Sequence, residues 1–195
     1  FGDGAMNPEC LQIYSWIHEV NPKAHLILHS NGGARNEEFW NSMAKLGVTV
    51  VFAIDGLEDT NHIYRRNVKW DKLMTNVKAF IKAGGDAGWD MLVFKHNEHQ
   101  IDQARMLSGI LGFEKILFRG TGRFLNHSTL EENETWDVVP QKEQPYQLEV
   151  TTLDEYRNSS MQRLGELKQE YTDIRDYFNT TVIKCDACVG NKVSI

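Results

Sequence analysis

Residues 25–56, HLILHSNGGARNEEFWNSMAKLGVTVVFAIDG, hold two short β-rich runs with an amphipathic segment between them. His25–His29 is the first run, and the turn Ser30-Asn31-Gly32-Gly33 ends it. Phe39, Met43 and Leu46 then recur at helical spacing, Gly47 caps that helix, and the apolar run Val48–Ile54 follows. Strand, turn, helix and strand in this order predict a βαβ unit with two parallel strands in one sheet.

The same theme continues on both sides. Asn7-Pro8 opens a helix with Ile13, Ile17 and Val20 on one face, and Asn21-Pro22 stops it. After the second strand, a connection over 55–67 leads to a helix carrying Leu73, Val77, Phe80 and Ile81 that ends at Gly84-Gly85. Met91–Phe94 reads as the third strand. Residues 98–111 read as a helix with Ala104, Leu107 and Leu111 inward, and Ile116–Phe118 as the fourth strand. Apolar runs of this kind imply strands covered on both faces. The class is therefore α/β, and four parallel strands with crossover helices fit either a doubly wound sheet or a partial (β/α) barrel. Strand order separates them: a barrel winds in sequence order, whereas a doubly wound sheet reverses at a switch point. Residues 121–152 are polar and contain Pro140 and Pro145, so they read as an irregular connector between a core over 1–120 and a part over 153–195. In that last part a helix is expected from Leu153 to about Phe178, on a stripe of Tyr156, Leu164, Leu167, Tyr171 and Ile174.

Composition sets the boundaries. The chain has 195 residues, 21 Lys and Arg against 27 Asp and Glu, and 41% apolar residues, the signature of a mildly acidic globular protein with formal net charge −6. At this length roughly 70% of the unfolded surface can be buried, so no metal or disulfide is needed to form a core. The acidic excess argues against nucleic acid as a partner. No apolar run approaches the ~20 residues of a membrane span, so no membrane partner is expected. Cys10, Cys185 and Cys188 cannot all pair, and the two-residue gap between the last two suits metal ligation or redox chemistry. A reducing, cytoplasmic setting follows. The first residue is Phe1 and the end, Lys192–Ile195, starts like a strand, so the chain reads as a piece of a longer protein.

In either architecture chemistry gathers after the C-terminal ends of the strands. Those positions here carry Ser30-Asn31-Gly32-Gly33, then Asp55-Gly56 with Arg65-Arg66, then Lys95-His96-Asn97, then Arg119-Gly120. Each also has a plain structural reading. Asn and Gly suit tight turns, adjacent arginines usually form a solvated ion pair, and Glu98 serves a helix start. The Gly-rich turn lacks the full spacing of a dinucleotide site. Cys10 belongs on a core stripe. Cys185-x-x-Cys188 is half of a four-thiolate site, which leaves zinc, an iron–sulfur cluster and an idle pair open.

The order Gly2-Asp3, Ser30-Asn31-Gly32, Phe52-Ala53-Ile54-Asp55-Gly56, Tyr64-Arg65, and a helix carrying Asn76 resembles the radical S-adenosylmethionine enzymes, closest to those with a SPASM-type iron–sulfur extension. The resemblance covers roughly residues 1–120 as a partial parallel (β/α) barrel, with 180–195 similar to the start of the extension. It implies S-adenosylmethionine as cofactor, with Gly2 and Asp3 on its ammonium, Ser30 and Asn31 beside it, Asp55 at the next strand end and Arg65 on its carboxylate. Lys95, His96 and Asn97 would lie near the adenosyl group. It implies a catalytic [4Fe-4S] cluster and a 5′-deoxyadenosyl radical that abstracts hydrogen from a peptide, protein or small-molecule substrate. It also implies an electron donor such as flavodoxin or ferredoxin. Cys185 matches the first cysteine of the extension and an auxiliary [4Fe-4S] cluster, with Cys188 a second ligand or a bystander. Two departures stand out: Ala53 occupies a position where relatives often carry Ser, and the Cys-x-x-x-Cys-x-x-Cys loop of the catalytic cluster is absent from these residues. On this reading the chain alone is inactive. The competing readings are a zinc-stabilised binding module using Cys185 and Cys188, and a barrel lyase using Lys95 as a Schiff-base nucleophile.

Overall fold

Asn36 ends an extended segment and its side chain accepts a hydrogen bond from the Phe39 N–H at 3.2 Å, which starts a helix directly after the glycine-rich turn. Glu37 and Glu38 in the first turn and Lys45 in the last complement that helix's dipole. Gly47, at φ +70°, then reverses the chain into the next strand, so the βαβ unit forms as its spacing predicts. The structure, a computed structural model, describes residues 2–126, 131–140 and 144–157, together with 170, 176, 179 and 180.

The core elements in chain order are α1 (Cys10–Val20), β1 (Ile27–Ser30), α2 (Glu37–Lys45), β2 (Thr49–Ala53), a short turn of helix α3 (Asn61–Tyr64), α4 (Trp70–Lys82), β3 (Ala87–Leu92), α5 (Ile101–Leu111) and β4 (Lys115–Arg119). The four strands form one sheet in the order β1-β2-β3-β4, all parallel. Sequential order with no switch point is the barrel-like winding, and the described residues make an open arc of it.

One expectation fails. Among the described residues the strands are covered on one face only. Leu28, Ser30, Val50, Phe52, Ala87, Trp89 and Met91 are buried, whereas Ile27 and Leu117 are 45% and 37% exposed, and the register alternates accordingly. The buried face packs against Trp40, Met43, Leu73, Val77, Phe80 and Ala104 in one cluster, with α1 contributing Cys10, Leu11, Tyr14 and Ile17. All four long helices therefore lie on one side. The other face carries the Arg119–Asp90 ion pair, Nε to Oδ2 at 3.4 Å. The short apolar runs hid this because β2 alone is apolar on both faces.

Smaller corrections follow from packing. In α1 the stripe turns inward through Cys10, Leu11, Tyr14 and Ile17, leaving Ile13 and Val20 exposed, because the Tyr14 hydroxyl donates to the Ile27 carbonyl at 2.8 Å. The third strand starts at Ala87, earlier than its apolar run, since ladder pairing recruits Gly88 and Asp90 as well.

The segment expected to be irregular forms two antiparallel ribbons, β5 (Leu125–Asn126) with β6 (Glu131–Glu132) and β7 (Thr135–Val138) with β8 (Tyr146–Glu149). Their polar alternation hides a second apolar cluster of Phe94, Phe124, Leu148 and Val150, with Tyr64, Leu92 and Trp136 against it. A bridge between Phe94 and Val150 seats β8 beyond the end of β3. Residues 154–156 form a 3-10 turn rather than the start of an α-helix. Cys185, Cys188 and the expected extension lie outside the described residues.

Candidate functional site

Asp55 follows β2 directly and its side chain is fully buried. Its Oδ2 accepts from Arg65 Nε at 2.5 Å, and its Oδ1 accepts from the Leu92 N–H at 2.6 Å at the end of β3. Burial holds this carboxyl above its ordinary range, and the Arg65 guanidinium and the Leu92 N–H offset that only in part. The amides around it fix the geometry. Asn61 accepts from the Asp55 N–H at 2.9 Å, and Asn97 donates to the carbonyls of Asp55 and Leu92, both at 2.9 Å, while accepting from the Phe94 N–H at 2.8 Å. Gly56 sits at φ +141°, where a Cβ would stand 2.2 Å from Thr60 Oγ1, so the turn into α3 admits no side chain. Arg65, held at the end of α3, contacts Asp55 through Nε; a guanidinium has five N–H donors, so among the described residues the edge formed by its two Nη groups remains for another acceptor.

At the end of β1 a second group assembles. Asp3 Oδ2 accepts from Ser30 Oγ at 2.9 Å and from the Asn31 N–H at 2.8 Å, while Oδ1 accepts from the Ala5 N–H at 3.0 Å. A carboxylate has about four acceptor positions, so one remains after these three bonds. Asn76, buried in α4, donates to the carbonyls of Gly32 and Ala34 at 2.7 and 3.0 Å and so holds the turn after β1. Ser30 pairs with Phe52 across β1 and β2, and Asp55 lies three residues further on, so both groups stand at the same end of adjacent strands.

The structure thus gathers Asp3, Ser30 and Asn31 into one hydrogen-bonded set, next to Gly2, and Asp55 with Arg65 into another. Asn61 and Asn97 carry much of the geometry, with Gln100 accepting from the Leu57 N–H at 3.0 Å and donating to Asp59 Oδ1 at 2.7 Å, and none was singled out for that role by sequence. Asn76 had a usable signal, since it lies on the buried stripe between Leu73 and Phe80. Asn61 had none.

Three other candidates take different parts. Lys95 is exposed and paired with Glu149, Nζ to Oε2 at 2.6 Å, which raises its pKa. An amine nucleophile needs the opposite, so the Schiff-base reading loses its residue. Glu98 accepts from Thr151 Oγ1, the Thr152 N–H and Thr152 Oγ1 at 2.6, 2.7 and 2.7 Å, fastening the end of the β7–β8 ribbon to the core. The His96 ring stacks on Phe94 at 5.2 Å, and its buried Nε2 has no hydrogen-bond partner among the described residues. Burial and the neighbouring His62 and His99 push its pKa down to about 4.

The methionyl end of S-adenosylmethionine presents an ammonium and a carboxylate. The spare acceptor position on Asp3 and the Nη edge of Arg65 suit those two charges. An iron–sulfur cluster is a different matter: among the described residues no three or more His, Cys, Asp or Glu side chains gather as metal ligands, and Cys10 is buried in the core with its thiol pushed up by burial. No described helix is long and apolar enough to cross a membrane.

No protein-family profile matches the chain, and no curated protein sequence matches it. Solved structures do. The open parallel sheet with its helices on one face is the architecture shared with SuiB of Streptococcus suis and with anSMEcpe. SuiB bound to S-adenosylmethionine superposes with a TM-score of 0.56 at 14% identity, over 87% of this chain and 34% of that one. SuiB bound to precursor peptide SuiA gives 0.55 at 13%, over 68% and 30%. anSMEcpe with bound AdoMet and the Kp18Cys peptide gives 0.51 at 12%, over 60% and 36%. At such identity the likeness is one of fold. The chain spans about a third of the length of these structures.

Proposed function

We propose that this chain is the cofactor-holding part of a radical S-adenosylmethionine enzyme acting on a peptide, and that it binds S-adenosylmethionine across the ends of β1 and β2. The observation that carries the reading is Arg65: a guanidinium fixed by a buried carboxylate, with its bidentate edge unused among the described residues, beside the strand end next to the Asp3 set. In this reading Asp3 and the carbonyls around Gly2 take the ammonium, Arg65 takes the carboxylate, Ser30 and Asn31 shape the turn beside them, and Asp55 positions Arg65. The bound molecule supplies an activated methionyl sulfonium. The described residues hold no ligand set for an iron–sulfur cluster, so the reading concerns binding and orientation rather than cleavage. A peptide substrate is supported by the fold neighbours, SuiB having been solved bound to a precursor peptide and anSMEcpe with a peptide.

Isothermal titration calorimetry with S-adenosylmethionine tests it. Arg65→Gln removes a charge-assisted bidentate contact worth roughly 1.5–3 kcal/mol, so affinity should fall about 10- to 100-fold. Equal affinity in the variant and the parent chain removes Arg65 from the site.

A further inference from the structure

Among the described residues Arg123 is a guanidinium without an anion. It follows β4, and its guanidinium carbon stands 5.0 Å from the Trp136 ring centroid and 5.6 Å from that of Tyr64. Arg65, Arg119 and Arg157 each meet an Asp or Glu, but among the described residues no carboxylate lies within ion-pair distance of Arg123. In a chain with 27 acidic against 21 basic residues, such an arrangement leaves a positive charge displayed rather than neutralised. Two aromatic faces hold the planar group in place, which lowers the entropy lost when its N–H edge meets a ligand.

Arg123 also borders a concavity. Thr121, Gly122, Arg123, Leu125 and Trp136 line an open groove of about 580 Å³, enough for two or three side chains of a ligand. Trp136 and Leu125 supply an apolar wall and Arg123 a charged end. The groove lies beyond the C-terminal end of β4, the same side of the sheet on which Arg65 stands. Arg65 and Arg123 share the Tyr64 ring, at 5.1 and 5.6 Å from its centroid, so a molecule in the groove sits beside the Asp55–Arg65 group.

We infer that this groove is a substrate subsite for an acidic peptide segment, in which Arg123 receives a carboxylate and Trp136 and Leu125 receive the adjoining apolar side chain. The inference rests on the reading of the chain as acting on a peptide, and adds the chemistry the peptide must carry. The carboxylate comes from an Asp or Glu side chain or from a peptide C-terminus, and the guanidinium chemistry is the same for both.

The test uses three fluorescein-labelled nonapeptide probes, identical except at the centre and the end: one with Glu-Phe-Glu at its centre and an amidated C-terminus, one with Gln-Phe-Gln and the same amide, and one with Gln-Phe-Gln and a free carboxylate. Fluorescence anisotropy with the chain should show the first or the third binding at least tenfold more tightly than the second, with the gap shrinking as salt rises. The probe that wins names the source of the carboxylate. Arg123→Gln should erase the gap while leaving the weak binding of the Gln-Phe-Gln amide in place, and Arg123→Lys should restore only part of it, because an ammonium lacks the planar fork. Circular dichroism melts check that each variant is folded, which an exposed position permits. Equal binding of all three probes, or a gap that survives Arg123→Gln, overturns the inference. Calorimetry with S-adenosylmethionine on the unmodified chain stands apart from this result. Heat there with no probe preference sinks the subsite alone, and probe preference with no heat sinks the cofactor reading alone.

Discussion

Replacing Arg65 with alanine strips a fully buried carboxylate of its cation. Asp55 would keep the Leu92 N–H at 2.6 Å but lose the 2.5 Å contact to Nε. Breaking one side of a buried ion pair typically costs about 3–5 kcal/mol, since the remaining charge cannot reach water. Proton uptake sets a ceiling on that cost. An ordinary Asp carboxyl can be neutralised at pH 7 for about 4 kcal/mol and at pH 5 for about 1.5 kcal/mol. Arg65→Ala should therefore destabilise the fold by ~3–4 kcal/mol at pH 7 and by no more than ~1.5–2 kcal/mol at pH 5. Urea melts at the two pH values, followed by tryptophan fluorescence, measure both. A double-mutant cycle with Asp55→Asn isolates the pair: once the charge is gone, removing Arg65 should cost less than ~1 kcal/mol, giving a coupling of ~2–3 kcal/mol. A loss below ~1 kcal/mol at pH 7, or one that does not shrink at pH 5, would refute the description of Asp55 as a buried charge held by Arg65. The result bears on binding as well, because a fall in S-adenosylmethionine affinity on changing Arg65 is interpretable only where the variant is shown to be folded.

The remaining expectations concern other parts of the same end of the sheet. His96 is held neutral with its pKa near 4 against an ordinary 6.5, so the unfolded chain takes up its proton first and stability should drop as pH falls from about 6.5 to 4. With partial solvent access the loss should be ~1–2 kcal/mol, absent in His96→Gln, and guanidine melts at pH 7 and 4.5 on both proteins check it. Gly56→Ala forces a Cβ toward Thr60 Oγ1 and an L-residue into φ +141°, so a loss above ~2 kcal/mol by thermal melt is expected, with less than ~0.5 kcal/mol from an exposed control such as Lys78→Ala. Glu98→Ala removes three hydrogen bonds to Thr151 and Thr152; amide exchange in β7 and β8 should quicken about tenfold or more while β1–β3 stay protected, and uniform quickening would show instead that the ribbon is not a separate unit.

The sequence by itself determined the repeating βαβ rhythm, the helix ends at Gly47, Gly84 and Gly112, and a parallel sheet, whose sequential strand order only the structure decided. These are local properties: a stripe every three or four residues, a cap, a glycine at positive φ, each written within a dozen residues. It also placed Ser30, Asn31 and Asp55 at or just after strand ends, because strand ends are local too. What only the tertiary structure decided was which groups meet. Ser30 joins Asp3 across 27 residues, Asn97 bridges Asp55 and Leu92 across 42 and 5, and Lys95 meets Glu149 across 54. The bare sheet face was invisible for a related reason, since a run such as Val48–Ile54 is apolar whether one or both of its sides are covered. The connector was misread because the β7–β8 ribbon turns alternate residues, Trp136, Val138, Tyr146 and Leu148, toward Phe94 and Phe124, a partnership that no single short strand announces. Periodicity records what each segment hides; which partner it hides against is settled only when the chain closes on itself.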